Sequence, residues 1–169
     1  ELCRIGVDTF IRVGSTGGLH KDMQLGDLVI STGAVRLDGA SKDLVIPEYP
    51  AVANYEVVMA LIQAAEELNV RYHVGITAST DTFYTGQGRP AYEGYLPSFK
   101  ESLYRDLQNA RVQNFEMEAA TLFAMASIFG KRAGAVCCII ANRITDEFEI
   151  NDEMQKRAGH VASLAVAIL

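Results

Sequence analysis

A glycine-rich segment with one arginine, RVGSTGG (Arg12–Gly18), carries residue types that bind phosphate. Glycines let the backbone approach an anion, Ser15 and Thr16 offer hydroxyl and amide donors, and the Arg12 guanidinium presents a planar fork of donors. The segment has neither the GxxxxGK(S/T) spacing of a Walker loop nor the GxGxxG spacing of a dinucleotide-binding turn. An ordinary strand-to-turn junction with Arg12 on the surface is the alternative. The spacing alone leaves both interpretations open.

A second segment, DTFYTGQGR (Asp81–Arg89), carries a planar set of donors and acceptors. Gln87 donates and accepts through one amide, and Arg89 presents planar donors two residues later. Phe83 offers a stacking face. This combination matches a planar ring with carbonyls on either side of an N–H group, such as uracil. The alternative is a polar, glycine-containing surface loop.

Two carboxylates, Glu116 and Glu118, flank Met117 at a predicted helix start. One of them can accept hydrogen bonds from sugar hydroxyls, with Met117 lying against the face of the sugar. The alternative is that both carboxylates only complement the positive end of the helix dipole.

Arg143 ends a predicted strand and leads into the acidic segment 144–149. This pattern indicates either a site wall with a mobile lid or a solvated loop. The three histidines, His20, His73 and His160, have no metal-ligand spacing, so we expect core or surface roles for them.

Strand-like and helix-like segments alternate along the chain, which predicts an α/β fold with a mixed, largely parallel central sheet flanked by helices. Strands are predicted at residues 9–13, 27–35, 72–79 and 133–141, the last being a continuous apolar run typical of burial on both faces. Ligands bind at the carboxyl ends of the strands in such sheets. Segments 14–18, 81–89 and 142–147 each follow a predicted strand, so we expect them to converge on one site.

Apolar spacing and capping residues predict four helices. The first has apolar positions 58, 61, 62, 65 and 68 and ends at Asn69. The second begins with a capping box of Ser98 and Glu101 and turns Phe99, Leu103 and Leu107 inward. The third covers residues 117–129 and stops at a glycine, and the fourth begins at about residue 152.

Composition predicts one domain over residues 1–169, with 49% apolar and 21% charged residues. Fifteen basic and twenty-one acidic residues give a net charge of −6. This balance argues against a nucleic-acid or anionic-membrane partner, because such surfaces need clustered Lys and Arg. No apolar run reaches the roughly 18–20 residues that span a bilayer, and no signal peptide opens the chain. Cys3, Cys137 and Cys138 cannot all pair, which predicts free, buried thiols in a reducing cytoplasm.

Together these segments resemble the nucleoside phosphorylase family, and within it the uridine phosphorylase branch. The resemblance covers nearly the whole chain, and its segments have the family's order and approximate spacing: RVGSTGG (12–18), VRLDGAS (35–41), GITASTDTFYTGQGR (75–89), NFEMEAATL (114–122) and IIANR (139–143). The EMEAA segment is shared across nucleoside phosphorylases and related nucleosidases. The FYxGQxR pattern is specific to the branch.

The resemblance implies reversible phosphorolysis of uridine to uracil and ribose 1-phosphate, with Arg12, Arg89 and Glu118 as the catalytic residues. The implied binding residues are Arg12, Ser15 and Thr16 for phosphate; Glu116, Met117 and Glu118 for ribose; and Phe83, Gln87, Arg89, Ile140, Ala141 and Arg143 for uracil. We expect no metal and no organic cofactor, since inorganic phosphate is a co-substrate. The expected partners are a nucleoside, phosphate and further copies of the chain, in a cytoplasmic homohexamer built as a trimer of dimers.

The chain also departs from the family pattern. Members are longer by an N-terminal part that carries a Gly-Asp-Pro-type phosphate loop with another arginine, and they lend residues to a neighbouring subunit's site. We therefore expect an N-terminally incomplete domain whose isolated 169 residues are weakly active or inactive. Ser15 stands where threonine is common, and Phe115 stands where tyrosine is frequent.

Three other functions stay open at this point. A nucleosidase that uses water would not need Arg12. A purine phosphorylase usually carries a Ser-Asp pair where this chain has Asn142 and Arg143. A nucleoside-binding protein without turnover would keep the site and lose the chemistry.

Overall fold

A computed structural model describes residues 1–169 and contains one seven-stranded sheet of mixed strand orientation. The strands are β1 (Thr9–Gly18), β2 (Leu28–Leu37), β3 (Ala51–Val52), β4 (Tyr72–Thr80), β5 (Asn114–Glu116), β6 (Arg132–Asn142) and β7 (Glu147–Phe148). Their order is β3-β2-β4-β5-β1-β6-β7. The four strands predicted from the sequence correspond to β1, β2, β4 and β6, and their existence is confirmed.

The sheet closes on itself because β2 also pairs with β6, and this corrects the expected topology. The pairs β1–β6, β2–β4 and β4–β5 are parallel. The pairs β1–β5, β2–β6, β2–β3 and β6–β7 are antiparallel. The α/β class is confirmed, but the expectation of a largely parallel sheet is wrong. A continuous apolar run such as 133–141 indicates a strand that is buried on both faces. Strands of a parallel sheet and strands of a helix-covered barrel are both buried in this way, so the run does not distinguish the two topologies.

Five α-helices accompany the sheet: α1 (Ala40–Leu44), α2 (Tyr55–Glu67), α3 (Leu103–Asn109), α4 (Ala119–Ile128) and α5 (Asp152–Ile168). The side chain of Asn54 begins α2 by accepting from two backbone N–H groups of its first turn, and Asn151 begins α5 in the same way. The predicted helices at the α2 and α5 positions are confirmed. None of the five helices has the length and apolar character that a bilayer crossing requires.

The predicted capping box of Ser98 and Glu101 is wrong. Ser98–Lys100 forms a single 3-10 turn without a side-chain cap, and α3 begins only at Leu103. Phe99 is 77% exposed and does not turn inward, whereas Leu107 is buried as expected. The sequence pattern of a cap is present, but no core lies beneath Phe99 to make a helix start there favourable.

Two apolar clusters hold the site in place. The larger one lies between the barrel and helices α2, α4 and α5, and its largest buried members include Phe123, Leu61 and Val136. The smaller one consists of Leu19, Ala78, Leu107, Val112 and Phe115. Phe115 belongs to β5, so this second cluster fixes the strand that ends at Glu116, directly before Met117 and Glu118.

Candidate active site

One cleft near the carboxyl ends of β1, β4, β5 and β6 is lined by every residue that the sequence singled out as a site residue. These are Arg12, Ser15, Thr16, Phe83, Gln87, Arg89, Glu116, Met117, Glu118, Ile140, Ala141 and Arg143. Gly17, Phe115 and Phe148 complete the lining. The convergence predicted from the strand ends is confirmed. The ligand that each residue binds stays a prediction.

Arg12 lies on β1 between two carboxylates and a thiol. Its Nε donates to Glu118 Oε2 at 2.8 Å, its Nη2 contacts the same oxygen, and Nε lies 3.2 Å from Glu116 Oε2. Its Nη1 donates to the sulfur of Cys137 at 2.8 Å. A Cβ on Gly14 would lie 2.5 Å from Arg12 Nη1, so any larger residue at that position would require the guanidinium to move.

Arg12 carries its positive charge although only 16% of its side chain is exposed. Burial works against the charge, but the Cys137 thiolate, which forms only at high pH, and the carboxylates of Glu116 and Glu118 outweigh it and raise the pKa of Arg12 above its ordinary value. At physiological pH the two carboxylates supply this stabilisation. Burial also raises the pKa of the Cys137 thiol to about 12. Cys137 is therefore a neutral thiol at physiological pH, and Arg12 is a permanent cation at the cleft.

The two hydroxyl residues of the glycine-rich segment differ in how they are used. Thr16 is buried, and its hydroxyl donates to the Phe115 carbonyl at 2.5 Å and accepts from Asn114 Nδ2 at 2.7 Å. This hydroxyl joins β1 to β5. Ser15 is half-buried on the cleft and is the better placed of the two hydroxyls to meet an anion.

The two carboxylates flanking Met117 also differ. Glu116 is buried at the end of β5, where its Oε2 accepts from the backbone N–H groups of Glu118 at 2.9 Å and Ala119 at 2.8 Å. This is the helix-start role named as the alternative, and α4 begins at Ala119 and not at Met117 as predicted. The side chain of Glu118 is 60% exposed and faces the cleft.

A buried network fixes the first turn of α4 from the other side. Asp38 accepts from the Thr121 hydroxyl at 2.6 Å, and from the Ser41 hydroxyl and backbone N–H, both at 2.7 Å. Burial works to raise the pKa of Asp38, but the hydrogen bonds from Thr121 and Ser41 outweigh it, so the pKa lies below its usual value. The ionised carboxylate therefore stabilises the helix that begins directly after Glu118.

The predicted base-binding wall contains one pre-formed pair and one stacked pair. Gln87 is buried, and its Oε1 accepts from Arg143 Nη2. The Arg89 guanidinium lies 5.3 Å from the centre of the half-exposed Phe83 ring, a cation–π distance. A Cβ on Gly17 would lie 2.9 Å from Arg143 Nε, so a second glycine makes room for an arginine.

Sequence reasoning missed Phe148, which lines the cleft from β7. This short strand pairs with the end of β6, with Phe148 opposite Ala141. Segment 144–149 therefore contains a short strand attached to the sheet, and the mobile lid, one of the two interpretations of this segment, stays a prediction. In the sequence Phe148 is a single aromatic residue among acidic ones. A two-residue strand is too short to show the alternating pattern that identifies strands.

The histidines and cysteines lie outside the cleft or behind it. His20 Nε2 lies 2.8 Å from the Val112 carbonyl, and His73 Nε2 lies 2.9 Å from Asp27 Oδ2, so the predicted structural roles are confirmed. His160 is exposed on α5. All three cysteines are free as predicted, but Cys3 is exposed, so its predicted burial is wrong.

Comparison with known proteins gives consistent matches over the whole chain. The family model of the phosphorylase superfamily matches residues 2–169. A uridine phosphorylase of Thermococcus kodakarensis is 61% identical over all 169 residues, and the chain spans 60% of its length. A uridine phosphorylase of Haemophilus influenzae is 44% identical over the full chain, which spans 69% of that relative. A guanosine phosphorylase of Halorubrum lacusprofundi is 36% identical over 99% of the chain, which spans 66% of that protein.

Proposed function

Because the chain belongs to the phosphorylase superfamily, we propose that it forms the nucleoside- and phosphate-binding part of an enzyme for the reversible phosphorolysis of uridine. The products are uracil and ribose 1-phosphate. The observation that carries this proposal is the single cleft that contains Arg12, Glu118 and the Gln87–Arg89 wall together. The relatives named uridine phosphorylase support uridine as the nucleoside. The chain spans 60% of the first of these relatives, so the proposal concerns the full-length protein.

The phosphate subsite is assigned to Arg12, Ser15 and the backbone at Thr16. Arg12 supplies a permanent charge with donors on a planar fork, which suits a phosphate oxygen pair. Glu118 already occupies part of that fork. Phosphate binding therefore releases Glu118 from Arg12, and the freed carboxylate accepts from ribose hydroxyls beside Met117.

The base subsite is assigned to Gln87, Arg89, Phe83, Ile140 and Ala141. Since Arg143 holds the Gln87 carbonyl oxygen, the orientation of the Gln87 amide is fixed. Its N–H₂ group is then free to donate to a uracil carbonyl, and the second lone pair of its oxygen can accept from the uracil N–H. Arg89 donates to the ring as well, and Phe83 stacks on its face.

Phosphorolysis breaks the bond between ribose C1′ and uracil N1, and a phosphate oxygen forms the new bond to C1′. The electron pair of the broken bond moves to the uracil, which leaves as an anion and then takes a proton. Donors on Gln87 and Arg89 stabilise this developing negative charge more than the neutral ground state, which lowers the barrier. Arg12 holds the phosphate beside the sugar, so the two reactants do not have to meet by diffusion in the reactive orientation, which lowers the barrier further. The scheme uses phosphate as co-substrate and involves no metal or organic cofactor.

The proposal extends to the setting of the enzyme. The net charge of −6 supports small-molecule partners over nucleic acid or an anionic membrane. Two free thiols buried in β6 are compatible with a reducing cytoplasm. A homohexamer built as a trimer of dimers is the assembly that the family resemblance supports.

The test is a phosphate-dependence assay on the full-length protein, with uridine and guanosine compared at equal concentration. We expect uracil and ribose 1-phosphate in equal amounts from uridine, only when phosphate is present. Uracil without phosphate would indicate a nucleosidase. Preferred cleavage of guanosine, the substrate class in the name of the Halorubrum relative, would indicate a purine phosphorylase. Nucleoside binding without cleavage would indicate a binding protein.

A further inference from the structure

A serine that takes no part in the proposed chemistry lies directly behind the cleft. Ser79 is fully buried near the end of β4. Its hydroxyl donates to Glu116 Oε1 and accepts from the backbone N–H of Ala120 at 2.9 Å. One hydroxyl thus joins β4 to the last residue of β5 and to the first turn of α4.

The carboxylate of Glu116 is fully buried and its two oxygens face different neighbours. Oε1 accepts from Ser79, whereas Oε2 accepts from the N–H groups of Glu118 and Ala119 and lies 3.2 Å from Arg12 Nε. A buried carboxylate keeps one orientation only while both of its oxygens have donors. The hydrogen bond from Ser79 to Oε1, together with the two N–H groups on Oε2, therefore fixes the carboxylate with Oε2 facing Arg12.

We propose that Ser79 is a positioning residue that orients Arg12 for phosphate through the Glu116 carboxylate. The proposal rests on the proposed function, since it assigns phosphate to Arg12. It also gives Glu116 a role in holding the arginine and the start of α4, in addition to its predicted place beside the ribose. Loss of the Ser79 hydroxyl leaves Oε1 buried without a donor, and the carboxylate then turns or moves away from Arg12 to recover one.

Ser79→Ala in the full-length protein tests the first step. Inorganic phosphate binding is measured by calorimetry without nucleoside, and the KM values for phosphate and uridine are measured at steady state. We expect phosphate Kd and KM to rise on the order of tenfold, with a smaller change in the uridine KM. Ser31→Ala is the matched control, because Ser31 is equally buried in β2 and its hydroxyl oxygen has no hydrogen-bond partner. Phosphate binding in Ser31→Ala should stay unchanged.

A double-mutant cycle with Arg12→Ala separates positioning from a general structural defect. If Ser79 acts through Arg12, adding Ser79→Ala to Arg12→Ala changes phosphate binding less than about twofold. Equal effects of Ser79→Ala with and without Arg12 would overturn the proposal, as would phosphate binding in Ser79→Ala equal to that in Ser31→Ala. If Ser79→Ala does not fold, Glu116→Gln takes its place in the same cycle with the same expected non-additivity.

These outcomes are distinct from failure of the proposed function. Phosphate binding is measured by calorimetry and does not require turnover. A wild-type protein that binds phosphate but does not cleave uridine would therefore refute the proposed function, and the double-mutant cycle could still be measured. A wild-type protein that cleaves uridine with additive Ser79 and Arg12 effects would refute only the positioning role.

Discussion

The ion pair between Arg12 and Glu118 predicts that one substitution affects the two substrates in opposite directions. On the proposed assignment of phosphate to Arg12, Glu118 and phosphate compete for the guanidinium, and Glu118→Gln weakens the ion pair. Because the Glu118 side chain is 60% exposed, we take the pair to contribute at most about 1 kcal/mol. Phosphate should therefore bind up to about fivefold more tightly, since about 1.4 kcal/mol corresponds to a factor of ten.

Uridine should lose affinity in the same variant. Glu118 is assigned to ribose hydroxyls, and a hydrogen bond to a charged acceptor contributes about 1.5–3 kcal/mol. The kcat/KM for uridine should then fall by roughly ten- to hundredfold. Phosphate binding is measured by calorimetry on the full-length protein without nucleoside, and uridine turnover by the absorbance change on cleavage.

The control for Glu118→Gln is Glu56→Gln. Glu56 forms an exposed ion pair with Arg132 at 3.1 Å, away from the cleft. Both variants replace one glutamate by glutamine, so they make the same change in net charge. Glu56→Gln should leave phosphate binding and uridine turnover unchanged. Weaker phosphate binding in Glu118→Gln than in Glu56→Gln would refute the reasoning, because it would mean that Glu118 supports phosphate binding and does not compete with it.

Three further predictions concern the base wall, the helix anchor and the thiols. Arg89→Leu should reduce kcat/KM for uridine roughly thirtyfold to a thousandfold, which corresponds to about 2–4 kcal/mol, because a base carbonyl loses its donor. Undiminished turnover would exclude a base-binding role for Arg89. Asp38→Asn should lower the free energy of unfolding by about 1–3 kcal/mol at pH 7 in denaturant titrations. Because the pKa of Asp38 is lowered in the folded state, its contribution is fully present above the unfolded-state value of about 4. It is lost as pH falls through the folded-state pKa, so the gap between variant and wild type should close there, and a gap independent of pH would contradict the role. Alkylation of the native protein at pH 8, mapped by peptide mass spectrometry, should modify Cys3 and spare Cys137 and Cys138, whose thiols are buried with raised pKa values. Early labelling of Cys137 would contradict its burial behind Arg12.

The location of the site follows from local patterns in the sequence. β6 contains the continuous apolar run 133–141 and ends at Asn142, which Arg143 follows, and β4 runs directly into the loop with Gln87 and Arg89. The carboxyl ends of parallel strands meet at one edge of a sheet, and the pairs β1–β6 and β4–β5 are parallel. The strand ends therefore predict that segments 14–18, 81–89 and 142–147 converge, whereas Ile140 and Ala141 follow only from the family resemblance.

The closure of the sheet could not be found in the same way. It depends on Leu28–Ile30 pairing antiparallel with Val136–Cys138 along one edge of β2, while the same residues and the remainder of β2 pair with β4 along the other edge. Apolar strands present the same side-chain pattern to a parallel and to an antiparallel neighbour when helices cover them. Closure is decided by the register and twist of strands far apart in the chain, which local periodicity does not encode.

The two glutamates on either side of Met117 show where sequence reasoning reaches its limit within the site. In the sequence they are equivalent carboxylates two residues apart, and both capping and sugar binding suit either one. The chain leaves β5 directly after Glu116, so the two side chains no longer share one face as they would in a continuous strand. Glu116 stays with the sheet and is held by Ser79, whereas Glu118 precedes α4 and faces the cleft. The division of roles between them is therefore set by the residue at which a three-residue strand ends, and that boundary is fixed by pairing with β1 and β4, which lie far away in the sequence.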